Sequence, residues 1–493
     1  MEKTFDLVIF GGTGDLSCRK LIPALYNGFQ ANLISPESRI FLTSRRPLEV
    51  DVRAWLATVL DRFPPACGVT PGGIDAFAKL VKDVLVELNQ PSPGWQELAG
   101  HLLPASDRPL VHFLAIPPKL FASTCVLLGQ HGLSHEHARV VVEKPLGHDR
   151  ESADAINREI GEHFSEAQTF RIDHYLGKEA VQNLLALRFS NFVFEKLWNA
   201  SCVDHIQITI AEQVGLHGRG GFYEGVGATR DMVQNHLLQL LCLVAMEPPA
   251  LLDAGSIREE KLKVLRCLEP LEGEAIERRV VRGQYEDGAV DGTAVTGYTD
   301  DLQIRESQTE TFVALEARIE NWRWSGVPFY LRTGKRLPRR FAEIVIQFKT
   351  LPQSFQDAWA GRVAPNRFVI SLQPDDRLAM RLMVNDHTRE RDHLREVELN
   401  LDLTYGENVP RRGPYLRLIL DAVDNDQRLF VHRDEVDLAW AWVDRIIQHW
   451  NASAEPPLVY AAGTWGPYEA HDLIKRSGRT WSNGLGPING GSH

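Results

Sequence analysis

The nine residues RIDHYLGKE, Arg171 to Glu179, crowd five ionisable groups and a tyrosine between two apolar runs. Arg171 to Asp173 should end a strand and Lys178 should begin a helix. Backbone amides at a helix start, joined by His174, Tyr175 and Lys178, would make a compact anion site. Asp173 adds a carboxylate beside it. Taken alone, the stretch also reads as a charged cap with a hydrogen-bonded histidine, so other segments have to decide.

Three segments bear on it. In TRDMVQNHLLQLLCLVAM the C-terminal half is apolar all round and should be buried, whereas the N-terminal half carries Asp231, Gln234, Asn235, His236 and Gln239. Imidazole is the side chain best suited to take a proton near neutral pH, and a neighbouring carboxylate would fix its tautomer and support the imidazolium. In DHIQITIAEQ, Ile206, Ile208 and Ile210 share one strand face, and Glu212 has the same parity. A carboxylate on an apolar face is costly without a partner, so it should be paired or face a polar ligand such as a sugar hydroxyl. FYLRTGKRLPRR offers Arg332, Lys335, Arg336, Arg339 and Arg340. That cluster could receive a phosphorylated substrate; as a bare charge run it would be a solvated loop.

A cofactor site announces itself at the start of the chain. VIFGGTGDLSCRK sets Gly11, Gly12 and Gly14, with Thr13, Asp15 and Leu16, directly after a buried strand. Glycine permits a tight turn and close approach to a ligand, and the following helix start favours a pyrophosphate. The pattern is a variant of the dinucleotide fingerprint. The second strand ends in TSRRP, where an NAD-preferring site would carry Asp or Glu. Arg45 and Arg46 could instead clamp a 2′-phosphate, which favours NADP, with NAD as a secondary cofactor.

The elements behind these residues divide in two. Residues 1–172 alternate buried apolar strands (FDLVIF, RIFLTSRR, PLVHFLAI, ARVVVEK) with helices, the signature of a parallel sheet covered on both faces. Pro23 is expected near the start of the first helix, and Ser152 is a plausible cap of another. Residues 173–493 change to period-2 strands such as FAEIVIQFKT, RFVISLQP and REVELNLDL, in which Val397, Leu399, Leu401 and Leu403 share a face. This predicts a β+α domain on a large, mostly antiparallel sheet with one covered face. Residues from about Pro270 to Ser307 read as loops, and the tail after Trp465 as loose.

Composition narrows the function classes. A net charge of −11 disfavours a general nucleic-acid or membrane-surface binder. No apolar run is long enough for a membrane span, and no secretory pattern opens the chain. The six scattered cysteines show no CxxC spacing and predict reduced, cytoplasmic thiols. His131, His135 and His137 in HGLSHEH lie in a polar loop and are read as a solvated turn, so no metal is expected.

Taken in order, GGTGDL, EKPLGHD, RIDHYLGKE, RDMVQNHLLQ, TETFVAL, VPFYLRTGKRLP and AGTWGP give a chain that resembles the glucose-6-phosphate dehydrogenase family over nearly its whole length. The resemblance implies a Rossmann-type N-terminal domain, a sheet-based homodimer or homotetramer, and oxidation of glucose 6-phosphate to the δ-lactone with hydride passing to NADP+. It places the base on His236 and its carboxylate partner on Asp173. It also places phosphate contacts on His174, Tyr175 and Lys178, and sugar contacts on Glu212 and Asp231. Lys335 and Arg340 match basic residues that reach the substrate, Lys144 one that bridges sugar and cofactor, and Lys20 a cofactor-site lysine. Pro145 should be able to take a cis bond. Cys18 stands where relatives usually have lysine. A dehydrogenase for another aldose and a non-catalytic NADP-sensing protein on the same fold remain as alternatives.

Overall fold

The computed structural model describes residues 2–103, 107–216, 220–353, 359, 363–374, 376–388, 393–401, 413–453 and 455–484. Two compact units divide the chain. The first comprises Met1–Gly177, Ala250–Arg258 and Gly406–Asp437; the second comprises Lys178–Pro249, Glu259–Tyr405 and Leu438–His493. The first therefore reaches past residue 172 and recruits two later segments.

In the first unit, β1 (Asp6–Phe10), β2 (Arg39–Ser44), β3 (Val81–Leu85), β4 (Leu110–Leu114), β5 (Ala138–Val142) and β6 (Thr169–Ile172) are parallel. A short antiparallel strand, β17 (Phe430–Val431), closes one edge, and the order is β17-β6-β5-β4-β1-β2-β3. Reading β3 to β6 gives 3-2-1-4-5-6, the order of a dinucleotide-binding sheet. Its core strands are continuous apolar runs because helices cover both faces: β1 and β4 are buried throughout. β3 escapes the sequence reading because it lies at the edge and, of its five side chains, only Val81 and Val84 are buried.

Two helix starts differ from expectation. The first helical run opens at Asp15, passes through a π-helical stretch Ser17–Leu21 and continues as Ile22–Gln30, so Pro23 lies inside it. The change of hydrogen-bond step there accommodates a residue with no N–H. The helix Arg150–Gly161 is capped by Asp149, whose carboxylate accepts from Ser152 N at 2.8 Å, while Ser152 closes the capping box.

The second unit is built on β7 (Val203–Ala211), β8 (Val280–Glu286), β11 (Phe312–Ala317), β12 (Phe329–Gly334), β13 (Phe341–Phe348), β14 (Arg367–Gln373), β15 (Arg377–Asn385), β16 (Leu394–Leu401) and β18 (Leu458–Ala461). They are ordered β16-β15-β14-β13-β7-β12-β11-β8-β18, with a separate ribbon of β9 (Gly288–Val290) and β10 (Thr293–Val295). Most neighbours are antiparallel; β7–β12 and β8–β18 are parallel. The expectation of one covered face fails in the middle and at the edge, for different reasons. β11 and β12 are buried on both faces. On β15 and β16 the face that carries Val384 and Leu399 leaves these two exposed, at 36% and 56%, while Leu378 on the same face is buried. Leu403 lies outside the described residues.

The stretch expected to be loops holds the helices Glu274–Arg279 and Tyr298–Leu302, β8 and the ribbon; strand pairing of β8 with β11 and β18 overrides its polar composition. The tail forms the helix Tyr468–Lys475 and buries Trp481, whose Nε1 donates to Ala470 O at 2.7 Å. Residues 485–493 lie outside the described residues.

Candidate active site

The glycine loop stands at the carboxyl edge of the first unit's sheet. Gly11 has φ +79°, and a Cβ there would lie 2.6 Å from Ala115 O. A Cβ on Gly12 would lie 2.7 Å from the Leu42 Cβ. Gly12 N donates to Thr43 O and Gly14 N to Gly11 O, both at 2.9 Å, so the turn is held against β2 and against itself. Thr13, Asp15 and Leu16 lead into the helix, and Lys20 is exposed on its first turns. Arg45 and Arg46 follow β2 and are exposed. A loop with no room for side chains, a helix start and two outward guanidiniums suit a phosphorylated dinucleotide.

The same edge carries a second group of residues after β5 and β6. The Lys144–Pro145 bond is cis. Asp173 is buried; its carboxylate accepts from Tyr175 N at 2.9 Å and its carbonyl from Leu176 N at 3.0 Å, which folds 173–177 into a turn. His174 lies with its ring centroid 4.8 Å from that of Tyr175 and stacks on Tyr415 at 6.4 Å and 8°. Burial pushes the neighbouring Glu143 carboxyl up to about 7. A hydrogen bond from Tyr415 and the Lys144 charge work against this, and the Asp173 charge adds to it. Arg171 has no part in the group: its Nε donates to Asn157 Oδ1 at 2.9 Å and its Nη atoms hold Glu166 at 2.6 and 3.0 Å.

In the second unit, Glu212 follows β7 and Lys335 follows β12. Because these strands run parallel in register, Glu212 N donates to Gly334 O at 2.9 Å and the two side chains meet, Lys335 Nζ donating to Glu212 Oε2 at 2.6 Å. The carboxylate is thus paired, and it is one-third exposed. Lys335 Nζ also sits 4.8 Å from the centre of the Tyr223 ring. The Tyr223 hydroxyl is pushed well up by burial, then by the charges of Asp231, Glu310 and Glu212.

Asp231 and His236 share the π-helical stretch Thr229–Leu237, which continues as the apolar helix Leu238–Ala245. Asp231 is part-buried and His236 is 1% exposed. Their spacing of five residues would set them about 140° apart on an α-helix. A π-helix bonds each residue to the fifth one along, which brings the pair nearer to a common face.

Lys178, the cap residue of the helix Glu179–Ser190, donates to Leu372 O at 2.8 Å. Arg340 Nε donates to Gln373 Oε1 at 3.4 Å, so both cations gather at the end of β14. Burial lowers the Lys178 pKa, and Arg340 lowers it further against the opposing charge of Asp376. The rest of the expected basic cluster disperses. Arg332 is fully buried between the Trp465 and Trp481 rings, donating to Ser482 O at 2.8 Å, and burial lowers its pKa to about 9. Arg336 turns to Asp301 at 3.6 Å. Elsewhere His131 stacks on Trp95, while His135 and His137 occupy the turn before β5.

Sequence reasoning missed Tyr223, Glu310, Glu143 and Tyr415. Glu310 stood in TETFVAL and Glu143 in EKP, but no local pattern showed what either touches.

Known proteins resolve what this arrangement belongs to. The model of the glucose-6-phosphate dehydrogenase NAD binding domain matches residues 8–183, and that of the C-terminal domain matches residues 185–482. The chain is 46% identical to the glucose-6-phosphate 1-dehydrogenase of Rhizobium meliloti (strain 1021), covering 98% of both chains. It is likewise 46% identical to that of Mycolicibacterium smegmatis (strain ATCC 700084 / mc(2)155), covering 97% of both. A glucose-6-phosphate dehydrogenase solved in complex with its substrate glucose-6-phosphate superposes with TM-score 0.86 at 32% identity, covering 98% of this chain and 99% of that one. The chain belongs to the glucose-6-phosphate dehydrogenase family.

Proposed function

We propose that the chain oxidises D-glucose 6-phosphate at C1 to 6-phospho-D-glucono-1,5-lactone, with His236 as the base. The observation that carries this reading is the second unit's cluster. The paired Glu212 and Lys335 extend from adjacent parallel strands that pack against the helix bearing Asp231 and His236. NADP+, when bound, supplies the hydride acceptor. Gly11, Gly12, Thr13, Gly14, Asp15, Leu16 and Lys20 hold its pyrophosphate side, and Arg45 and Arg46 take the 2′-phosphate.

His236 removes the O1 proton as the C1–H pair departs as hydride, and O1 becomes the lactone carbonyl oxygen. Asp173 holds the imidazole tautomer and supports the imidazolium. His174, Tyr175 and Lys178 anchor the sugar phosphate, which orients C1 at the other end of the ring. Glu212 and Asp231 accept from sugar hydroxyls, Lys335 and Arg340 reach the substrate, and Lys144 bridges sugar and cofactor. The glycine loop and the two arginines of the first unit then serve the cofactor, while the sugar draws on Asp173, His174 and Tyr175 of that unit together with residues of the second. Val384 and Leu399 suit burial by a second copy of the sheet in a homodimer or homotetramer. Six free thiols suit a reducing, cytoplasmic setting, and no helix among the described residues is long and apolar enough to cross a membrane.

Replacing His236 by Asn tests the base. Turnover at saturating sugar phosphate, followed as NADPH formation, should fall about 10²- to 10⁴-fold; near-normal kcat removes the assignment. The same assay with other aldoses, and with NAD+, separates the alternative substrates and cofactor.

A further inference from the structure

Within the second unit, Thr309, Glu310 and Thr311 touch both elements of the sugar cluster. The Glu310 carboxylate accepts from Thr229 N at 2.9 Å, in the first turn of the helical run that carries Asp231 and His236. Its carbonyl accepts from Ala228 N at 2.9 Å. Thr309 Oγ1 accepts from Gly225 N at 3.1 Å. On the other side, Thr311 O accepts from Lys335 N at 2.9 Å, and the Thr311 hydroxyl bonds the Tyr460 hydroxyl, which in turn donates to Lys335 O at 2.7 Å. Three consecutive residues thus fix the start of one element and the backbone of the other.

The arrangement at Glu310 is tight. Gly227 has φ +72°, and a Cβ there would fall 2.5 Å from Glu310 Oε1. Glu310 is 5% exposed, and burial raises its pKa while the Thr229 hydrogen bonds and the Arg230 charge pull it down. A buried carboxylate is costly unless its acceptor capacity is used. Here it is used on an amide that the helix itself leaves unbonded, at the positive end of the helix dipole.

We propose that Glu310 is a positioning residue for the reaction: by capping the helix start it sets where Asp231 and His236 stand relative to Lys335 and Glu212. The inference rests on the role given to His236 above. Glutamine can still accept from Thr229 N, whereas alanine cannot, and the pair separates the hydrogen bond from the charge.

The test combines kinetics with hydrogen exchange on the full chain. In Glu310→Ala, amide exchange over 229–237 should rise, and kcat/KM for glucose 6-phosphate should fall about 10- to 100-fold, as loss of the cap misplaces the base. The Kd for NADP+ should stay within about twofold. Glu310→Gln should recover most of the rate. If Glu310→Ala does not fold, Gly227→Ala carries the test by crowding the same carboxylate, with the same expected signature. Unchanged exchange over 229–237 overturns the cap. Equal loss in the Ala and Gln variants overturns the hydrogen-bond account. Raised exchange with wild-type kcat/KM overturns the link to catalysis, and the His236→Asn result then shows separately whether the base assignment stands.

Discussion

The two units hold charge in opposite ways. The first offers its glycine loop as bare backbone: Gly11 and Gly12 have no space for a side chain, and the two arginines after β2 stand in solvent. The second collects its charges inside. Lys335 and Glu212 pair, Tyr223 lies under the ammonium, and Glu310 spends its carboxylate on a helix end. A loop of amides and a helix dipole recognise any pyrophosphate through geometry that every residue's main chain can supply. A particular sugar needs donors and acceptors at fixed points, and those require side chains held by other side chains. The first site depends on what is absent, and the second on what is paired.

The sharpest way to break that contrast is to add atoms to the loop. Gly12→Val would place its Cβ against the Leu42 Cβ and Cα, at 2.7 and 2.8 Å, on a strand that cannot yield. The Kd for NADP+ should rise at least about 100-fold, or about 2.7 kcal/mol. Thermal stabilisation by glucose 6-phosphate should persist. Lys335→Met should reverse the pattern, abolishing the sugar's thermal shift while leaving the Kd for NADP+ within about threefold. If either variant damages both ligands alike, the two sites are not separable in the way described.

Arg45 and Arg46 supply a second, smaller measure. Both are exposed at the end of β2. Replacing the pair by alanine should raise the NADP+ Kd about 10- to 100-fold, the range for hydrogen bonds to a charged group, and change that for NAD+ by less than about threefold. Equal effects on the two cofactors would remove the 2′-phosphate as the group they hold.

How far the sequence discloses these arrangements follows from how local each one is. The glycine loop lies in six consecutive residues, and its strand–loop–helix setting is legible from apolar runs alone. Glu212 is half legible: parity put it on the apolar face, but its partner 123 positions along the chain depends on β7 and β12 pairing in parallel. FYLRTGKRLPRR misleads for the same reason. Arg332 and Lys335 differ in parity, so the strand sends one between two tryptophans and the other to Glu212. Tyr415 reaches His174 because a late segment returns to the first unit. No periodicity encodes such a return.

The smallest effect tests how a buried cation behaves at an anchor. Lys178 has its pKa lowered, first by burial and then by Arg340. The sign is fixed by that direction. A lysine with a depressed folded pKa loses its proton at a lower pH than a free lysine does. The unfolded chain still holds its proton there, so this group contributes no stability that alkali would remove; what alkali would remove is the proposed phosphate contact. The sugar phosphate is already fully ionised above about pH 7, its second pKa being near 6, so only the protein changes. As pH rises towards the range in which a free lysine titrates, the KM for glucose 6-phosphate should climb roughly threefold, within the range of a partly screened ion contact. Lys178→Arg, whose guanidinium does not deprotonate, should flatten the climb. Arg340→Gln should move the rise to higher pH by removing a like charge. Superimposable KM–pH curves for the wild type and Lys178→Arg would take the lysine out of the anchor and leave Arg340 and His174 as the groups to examine.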